Sequence, residues 1–181
     1  MAEVLLLGDP RLRVRSSEVA AYDAGEFDVL AATLDQFRRR HGFGRAISAP
    51  QIGIAKRFIA VNLGKGTFFV VNPAITWRSE ETFTMWDDCM SFPDLLVRVE
   101  RAKSLSLEYV DERGKPQEWQ ELGQAEAELL QHEIDHLDGV LAVDRALDPE
   151  SLVMRREYER NREYFDARVD YTIVPTINLS S

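Results

Sequence analysis

The chain holds a single cysteine, Cys89, among its 181 residues, so no disulfide can form within it and nothing ties its fold to an oxidising compartment. Positive charge is also scarce: 22 Lys and Arg stand against 31 Asp and Glu, for a formal charge of -9. That balance gives no electrostatic reason to expect nucleic acid or an anionic membrane as partner. The most basic stretches are Arg38 to Arg40 and Met154 to Arg162, and the second interleaves Glu157 and Glu159 in the manner of a solvated helix face. No apolar run reaches membrane-spanning length, and Met1 to Pro10 has neither a basic leader nor an apolar stretch before a small-residue cleavage site. A cytoplasmic location is expected. There is no internal repeat, low-complexity tract or linker, and residues 1–181 are expected to form one domain with its own core.

Between Gly25 and Arg40 the residues Phe27, Leu30, Ala31, Leu34 and Phe37 recur at three- and four-residue spacing, which predicts a helix stopped by His41-Gly42. Phe58 to Leu63 and Thr67 to Val71 flank Gly64-Lys65-Gly66, a hairpin signature. Leu105 to Val110 alternates and ends in the turn Asp111 to Pro116. A second strong helix is expected from Gln124 to Leu137, closed near Gly139, and a third from Pro149 to Phe165. The tail from Tyr171 to Leu179 has β-formers interrupted by Pro175 and suits an edge strand at best.

Histidine is nearly as scarce as cysteine, yet two of the three fall in His132-Glu133-Ile134-Asp135-His136. Within the second helix, residues four apart lie on one face, so both imidazoles reach one ion. Glu133 lies about 100° around the helix from His132, placed to take a proton from a water activated there. The same five residues also suit a helix that merely exposes two histidines and two acids. A catalytic ion wants a third protein ligand. The pattern that continues to a third histidine begins with Gly139 but fails at Ala142, which leaves Glu150, Glu157 or Cys89. A thiolate with two imidazoles suits Zn²⁺ or Fe²⁺. Free cysteines are, against this, most often small buried core residues. Cys89 lies in a turn-like segment, Trp86 to Ser91. His41 reads as a surface or capping residue.

Three segments in order resemble peptide deformylase: Gly44-Arg45-Ala46-Ile47-Ser48-Ala49-Pro50-Gln51-Ile52-Gly53, then Asp87-Asp88-Cys89-Met90-Ser91, then Gln131-His132-Glu133-Ile134-Asp135-His136-Leu137-Asp138-Gly139. Weaker likenesses at Asp9 to Arg13, Asp111 to Pro116 and Val140 to Arg145 extend this over nearly the whole chain. The resemblance implies an α+β fold with β-sheets packed around a central metal-binding helix. It also implies hydrolysis of the N-formyl group on the initiator methionine of new proteins, with release of formate. By position Cys89, His132 and His136 would hold one divalent ion, Fe²⁺ in most of the family, with Zn²⁺ or Ni²⁺ able to take its place. Glu133 would move the proton, and the Gln51 amide and Met90 backbone N–H would face the oxygen that becomes negative. Partners expected on this footing are N-formylated peptides, including nascent chains at the ribosome, acted on by a monomer.

The residues expected to contact substrate are Gly44, Arg45, Ala46, Asp87, Asp88, Arg101 and Glu128, and the chain departs from the family pattern at four of them, Ala46, Asp87, Asp88 and Glu128. Ala46 stands for a glycine, and Asp87-Asp88 stands where the family usually has Glu-Gly. Asp88 either adds a carboxylate beside the thiolate or turns to solvent. Asp87 can pair with Arg98 or Arg101, the latter at the place of a family active-site arginine. Glu128 extends the stripe of His132 and His136 by one turn, where the family has an apolar residue that helps line the methionine pocket. Either it makes the pocket polar, with Arg45 as a partner, or it sits at an exposed helix tip favoured by the helix dipole. These departures raise two alternatives to formyl-methionyl peptides: a more polar N-formyl small molecule, or a catalytically weak homologue.

Overall fold

The computed structural model describes residues 2–173. Helix α1, Ala24–His41, is capped by the Asp23 carboxylate, which accepts from the Gly25 N–H, and closed by Gly42 in the left-handed conformation. After it come β1 (Ala46–Ser48), a short turn of 3₁₀ helix at Ala49–Ile52, β2 (Phe58–Asn62) and β3 (Thr67–Arg78). Strands β4 (Thr82–Asp88), β5 (Leu95–Ala102), β6 (Leu105–Val110) and β7 (Pro116–Trp119) lead to α2 (Gln124–Leu137). The described chain ends with β8 (Leu152–Met154), α3 (Arg155–Arg160) and α4 (Arg162–Asp166).

All strand pairs are antiparallel and form two sheets, β1-β2-β3-β6-β7 and β4-β5-β8. The larger sheet is covered on both faces. On β2, Ile59 and Val61 point into a core with Leu130, Ile134 and Leu137 of α2, while Phe58 and Ala60 join Phe27, Leu30 and Leu34 of α1. That double covering explains why Phe58 to Val61 is a continuous apolar run rather than an alternating one. The opposite face of α2 turns to the inner side of β4 and β5, so the helix lies between the sheets, as the resemblance implied. Gln131 fastens it there: its side chain accepts from the Ala102 N–H at 3.0 Å and donates to the Ala102 carbonyl at 2.9 Å.

The end of α2 is held by the N-terminal segment. Gly139 has φ +74°, and a Cβ built there would stand 2.6 Å from the Arg13 carbonyl oxygen, a backbone atom that cannot swing aside. Gly139→Ala therefore adds left-handed strain to an overlap, and urea unfolding is expected to show a loss of about 2 kcal/mol or more.

The expected third helix is corrected by the structure. Pro149–Ser151 is a 3₁₀ turn, Leu152–Met154 is strand β8, and helix begins only at Arg155. The reason is non-local: β8 completes the open edge of β5, pairing Val97 with Leu152 and Leu95 with Met154. The helix then breaks at Asn161 (φ -128°, ψ 36°), whose side-chain amide donates to the Glu157 carbonyl in competition with helical hydrogen bonding. Of the expected tail strand, Tyr171 makes an isolated bridge to Met85; residues 174 to 179 lie outside the described residues.

Candidate metal centre

His132 and His136 lie one turn apart on the face of α2 that looks at β4 and β5, with their Nε2 atoms 3.2 Å apart. Strand β4 ends at Asp88, and the turn that follows brings Cys89 to them, its Sγ 3.2 Å from His136 Nε2. One ligand atom from each of the three residues lies within 4.8 Å of the others, and all three are buried. The donor chemistry fits a metal ion. His132 Nδ1 is occupied by the Asp87 carboxylate at 2.9 Å, which leaves Nε2 turned toward its two neighbours. Burial opposes a charge on His132, but Asp87 outweighs it and raises the ring's proton affinity, the same attraction that strengthens it as a donor to a cation. Burial holds His136 neutral, with the repulsion of His132 adding to the effect. Burial also pushes the Cys89 thiol up, so a thiolate here calls for a cation. One soft and two borderline donors suit a single transition-metal ion.

Glu133 is buried beside this cluster. Ser48, at the end of β1, donates its hydroxyl to Glu133 Oε2 at 2.5 Å and to the Glu133 backbone carbonyl at 2.9 Å. Burial pushes the Glu133 carboxyl upward against the pull of His132 and Ser48, the direction that improves a proton acceptor. Gln51 is fixed at both ends of its amide. Its oxygen accepts from the Ser48 N–H at 2.9 Å, and its nitrogen donates to Ser91 Oγ at 3.2 Å and lies 3.6 Å from Cys89 Sγ.

A cavity of about 340 Å³ opens onto the cluster. Its walls bring together most of the expected site: Gly44, Arg45 and Ala46 from β1 and the loop before it, Gln51 from the 3₁₀ turn, Asp87 to Met90 from β4 and its turn, and Glu128, His132 and Glu133 from α2. Gly44 has φ +109°, and the space a Cβ would need there is taken by the Met90 side chain. Glu128 is 2% exposed and paired with Arg45, so it is a buried wall residue rather than a solvated helix tip. Burial pushes its carboxyl up to about 7 despite that partner.

Arg101, expected among substrate contacts, is placed behind the cavity wall. It is 4% exposed and donates to Asp87 at 2.9 Å and to Asp135 at 2.5 Å, so it braces His132 through Asp87. Of the two arginines open to Asp87 on sequence grounds, Arg98 binds Asp148 instead. Asp88 has no positive φ, since among the described non-glycine residues only Asn72 and Glu121 have one. Its carboxylate meets Arg155 at 3.1 Å.

Arg155, Tyr158, Arg162 and Asp166 also line the cavity. Sequence reasoning misses them, because Met154 to Arg162 has the composition of a solvated face. Arg155 in fact donates to the Pro93 carbonyl at 2.6 Å and lies over the Phe43 ring at 4.5 Å. A charge-alternating helix carries no local signal for such contacts; the one hint in the sequence is Asp88 itself, a carboxylate where the resemblance puts a glycine.

A family model described as polypeptide deformylase matches residues 1–151. A protein of Thermotoga sp. (strain RQ2) named peptide deformylase is 36% identical over 159 residues, covering 87% of this chain and 94% of that protein. Among solved structures, peptide deformylase from Thermotoga maritima superposes with a TM-score of 0.75 at 34% identity, covering 82% of this chain and 99% of that one. A Synechococcus elongatus peptide deformylase in complex with actinonin gives 0.75 at 28% identity, with 89% and 86% covered.

Proposed function

The chain belongs to the polypeptide deformylase family, and from that premise we propose that it removes the N-formyl group from peptide N-termini, releasing formate, with formyl-methionyl peptides the first substrates to test. The observation that carries this reading is the buried Glu133 carboxylate, oriented by Ser48 beside the converging atoms of Cys89, His132 and His136. Those three residues would hold one divalent ion, which supplies the Lewis acidity that activates the attacking water and polarises the formyl group.

The chain's own residues do the rest. Glu133 takes the proton from the attacking water and returns it to the nitrogen that leaves as a free amine. Gln51 and the Met90 backbone N–H present donors to the formyl oxygen as it gains negative charge. The hydrogen bonds that hold both ends of the Gln51 amide support this role, because a preorganised donor needs no rearrangement when charge develops. Arg101 and Asp87 keep His132 in the tautomer and orientation its ligand role demands. The substrate enters the cavity along the Gly44 to Ala46 wall, with Asp88 at its rim.

We take Fe²⁺ as the native ion, with Zn²⁺ or Ni²⁺ as alternative occupants of the same donors, and a monomer of one catalytic domain acting in the cytoplasm, on nascent chains among other N-formylated peptides. No helix among the described residues is long and apolar enough to cross a membrane. The test is anaerobic purification, metal analysis and formate release from formyl-Met-Ala. One ion per chain is expected. A chelator should abolish turnover, and reloading with Fe²⁺ should restore more of it than reloading with Zn²⁺. Turnover that survives complete metal removal would overturn the reading.

A further inference from the structure

Two ion pairs at the cavity wall each include a position where this chain departs from the pattern of the family it resembles. Arg45 binds Glu128, and Asp88 binds Arg155. By the resemblance, Glu128 stands where the family usually has an apolar residue and Asp88 where it usually has a glycine, while Arg155 lies past the span matched by the family model, residues 1–151. Glu128 and Asp88 each have a counter-charge in the same cavity wall, which makes the polar wall a built feature rather than a stray substitution.

The Arg45–Glu128 pair lies deepest. Its side chains are 10% and 2% exposed, and Glu128 is one turn along α2 from His132, on the face that meets the cavity. A formamide reacting at the centre must place the group on its nitrogen in this cavity. Arg45 directs one guanidinium nitrogen to the Ala125 carbonyl at 2.9 Å and the other to Glu128. A carboxylate has room for about four hydrogen bonds, and the one Glu128 accepts within the described structure comes from Arg45. What the wall offers a ligand is thus acceptor capacity held in place by a fixed cation. A thioether leaves it unused, and a buried site built for a hydrogen bond discriminates against analogues that cannot make it.

We propose that Glu128, held by Arg45, reads a hydrogen-bond donor on the group next to the formamide, so that the preferred substrates are N-formyl compounds with a donor-bearing polar side chain rather than a methionine. The assignment rests on the reading of the site as a formamide hydrolase. The test compares kcat/KM for formyl-Gln-Ala, formyl-Met-Ala and formyl-Leu-Ala on the iron-loaded full chain, together with calorimetric binding of the free dipeptides Gln-Ala and Met-Ala. Formyl-Gln-Ala should lead formyl-Met-Ala by roughly tenfold or more, the scale of one hydrogen bond to a charged group, and Gln-Ala should bind tighter than Met-Ala. Arg45→Leu combined with Glu128→Leu should reverse both orders, and the single Glu128→Gln, which keeps the shape but not the charge, should reduce the preference. Equal or better turnover of formyl-Met-Ala by the unmodified protein would overturn the proposal and leave formamide hydrolysis standing. Tighter binding of Gln-Ala with no formate from any donor would uphold the pocket assignment and sink the hydrolase reading instead.

Discussion

Glu133→Ala is expected to lower formate release by about a thousandfold or more while the protein keeps one ion per chain. Three observations set that expectation. Glu133 is one residue on from His132, which turns its carboxylate away from the direction of the two imidazoles, so the ion does not depend on it. It is 3% exposed, with Oε2 held by the Ser48 hydroxyl, so its position is defined without a substrate. And its burial raises its proton affinity, which brings a carboxylate toward the strength a base needs near neutral pH. Glu133→Gln keeps the shape and should fail equally, because an amide cannot accept the proton. Glu133→Asp, with the carboxylate drawn back by one methylene, should keep part of the activity. Little loss of stability is expected, since the Ser48 hydroxyl retains its bond to the Glu133 backbone carbonyl at 2.9 Å. Metal analysis, thermal unfolding and a formate assay on the same preparations separate the roles. A loss below tenfold with metal intact would remove Glu133 from the proton path.

Much of this centre is legible in the sequence because the helix that carries it is local. The periodicity of Ala127, Leu130, Ile134 and Leu137 against the larger sheet, and Gly139 past the end, are written within a few turns of one element. The hairpin around Gly64-Lys65-Gly66 is equally local, and β2 and β3 pair across it as expected. Cys89 is legible only by elimination and resemblance, since its approach to His136 depends on how β4 ends. Strand β4 itself is obscured by its function. Phe83, Met85 and Asp87 point to one side, and the third member of that alternation is a charged residue buried to meet Arg101 and His132, so the pattern stops looking apolar where the site begins. Strand β8 and the contacts of Arg155 are invisible in the sequence for a different reason: both are made to segments laid down about sixty residues earlier in the chain.

Arg101 is open on sequence grounds both to Asp87 and to substrate; the structure pairs it with Asp87 and Asp135 behind the cavity wall, and replacing it should have the largest effect on stability. Its guanidinium, 3% exposed, joins Asp87 of β4 to Asp135 of α2, and Asp135 is shared with the half-exposed Arg145. Arg101→Met removes the cation and leaves Asp87 facing only His132 in a buried site. Breaking such a pair from one side costs roughly 3 to 5 kcal/mol, because the remaining carboxylate keeps its desolvation penalty without its partner. Asp135 loses less, since Arg145 still reaches both of its oxygens at 2.6 and 2.5 Å. The loss should extend to the ion: with Asp87 released, His132 is no longer held in one orientation, and affinity for the metal should fall by about ten- to a hundredfold. Pairing Arg101→Met with Asp87→Asn removes both members and should recover part of the stability but none of the metal affinity, since the amide does not replace the carboxylate behind His132. Urea unfolding of the metal-free proteins and competitive chelator titration measure the two effects separately. If Arg101→Met lowered turnover with stability and metal affinity unchanged, Arg101 would be contacting substrate after all, and the brace between α2 and β4 would not be its role.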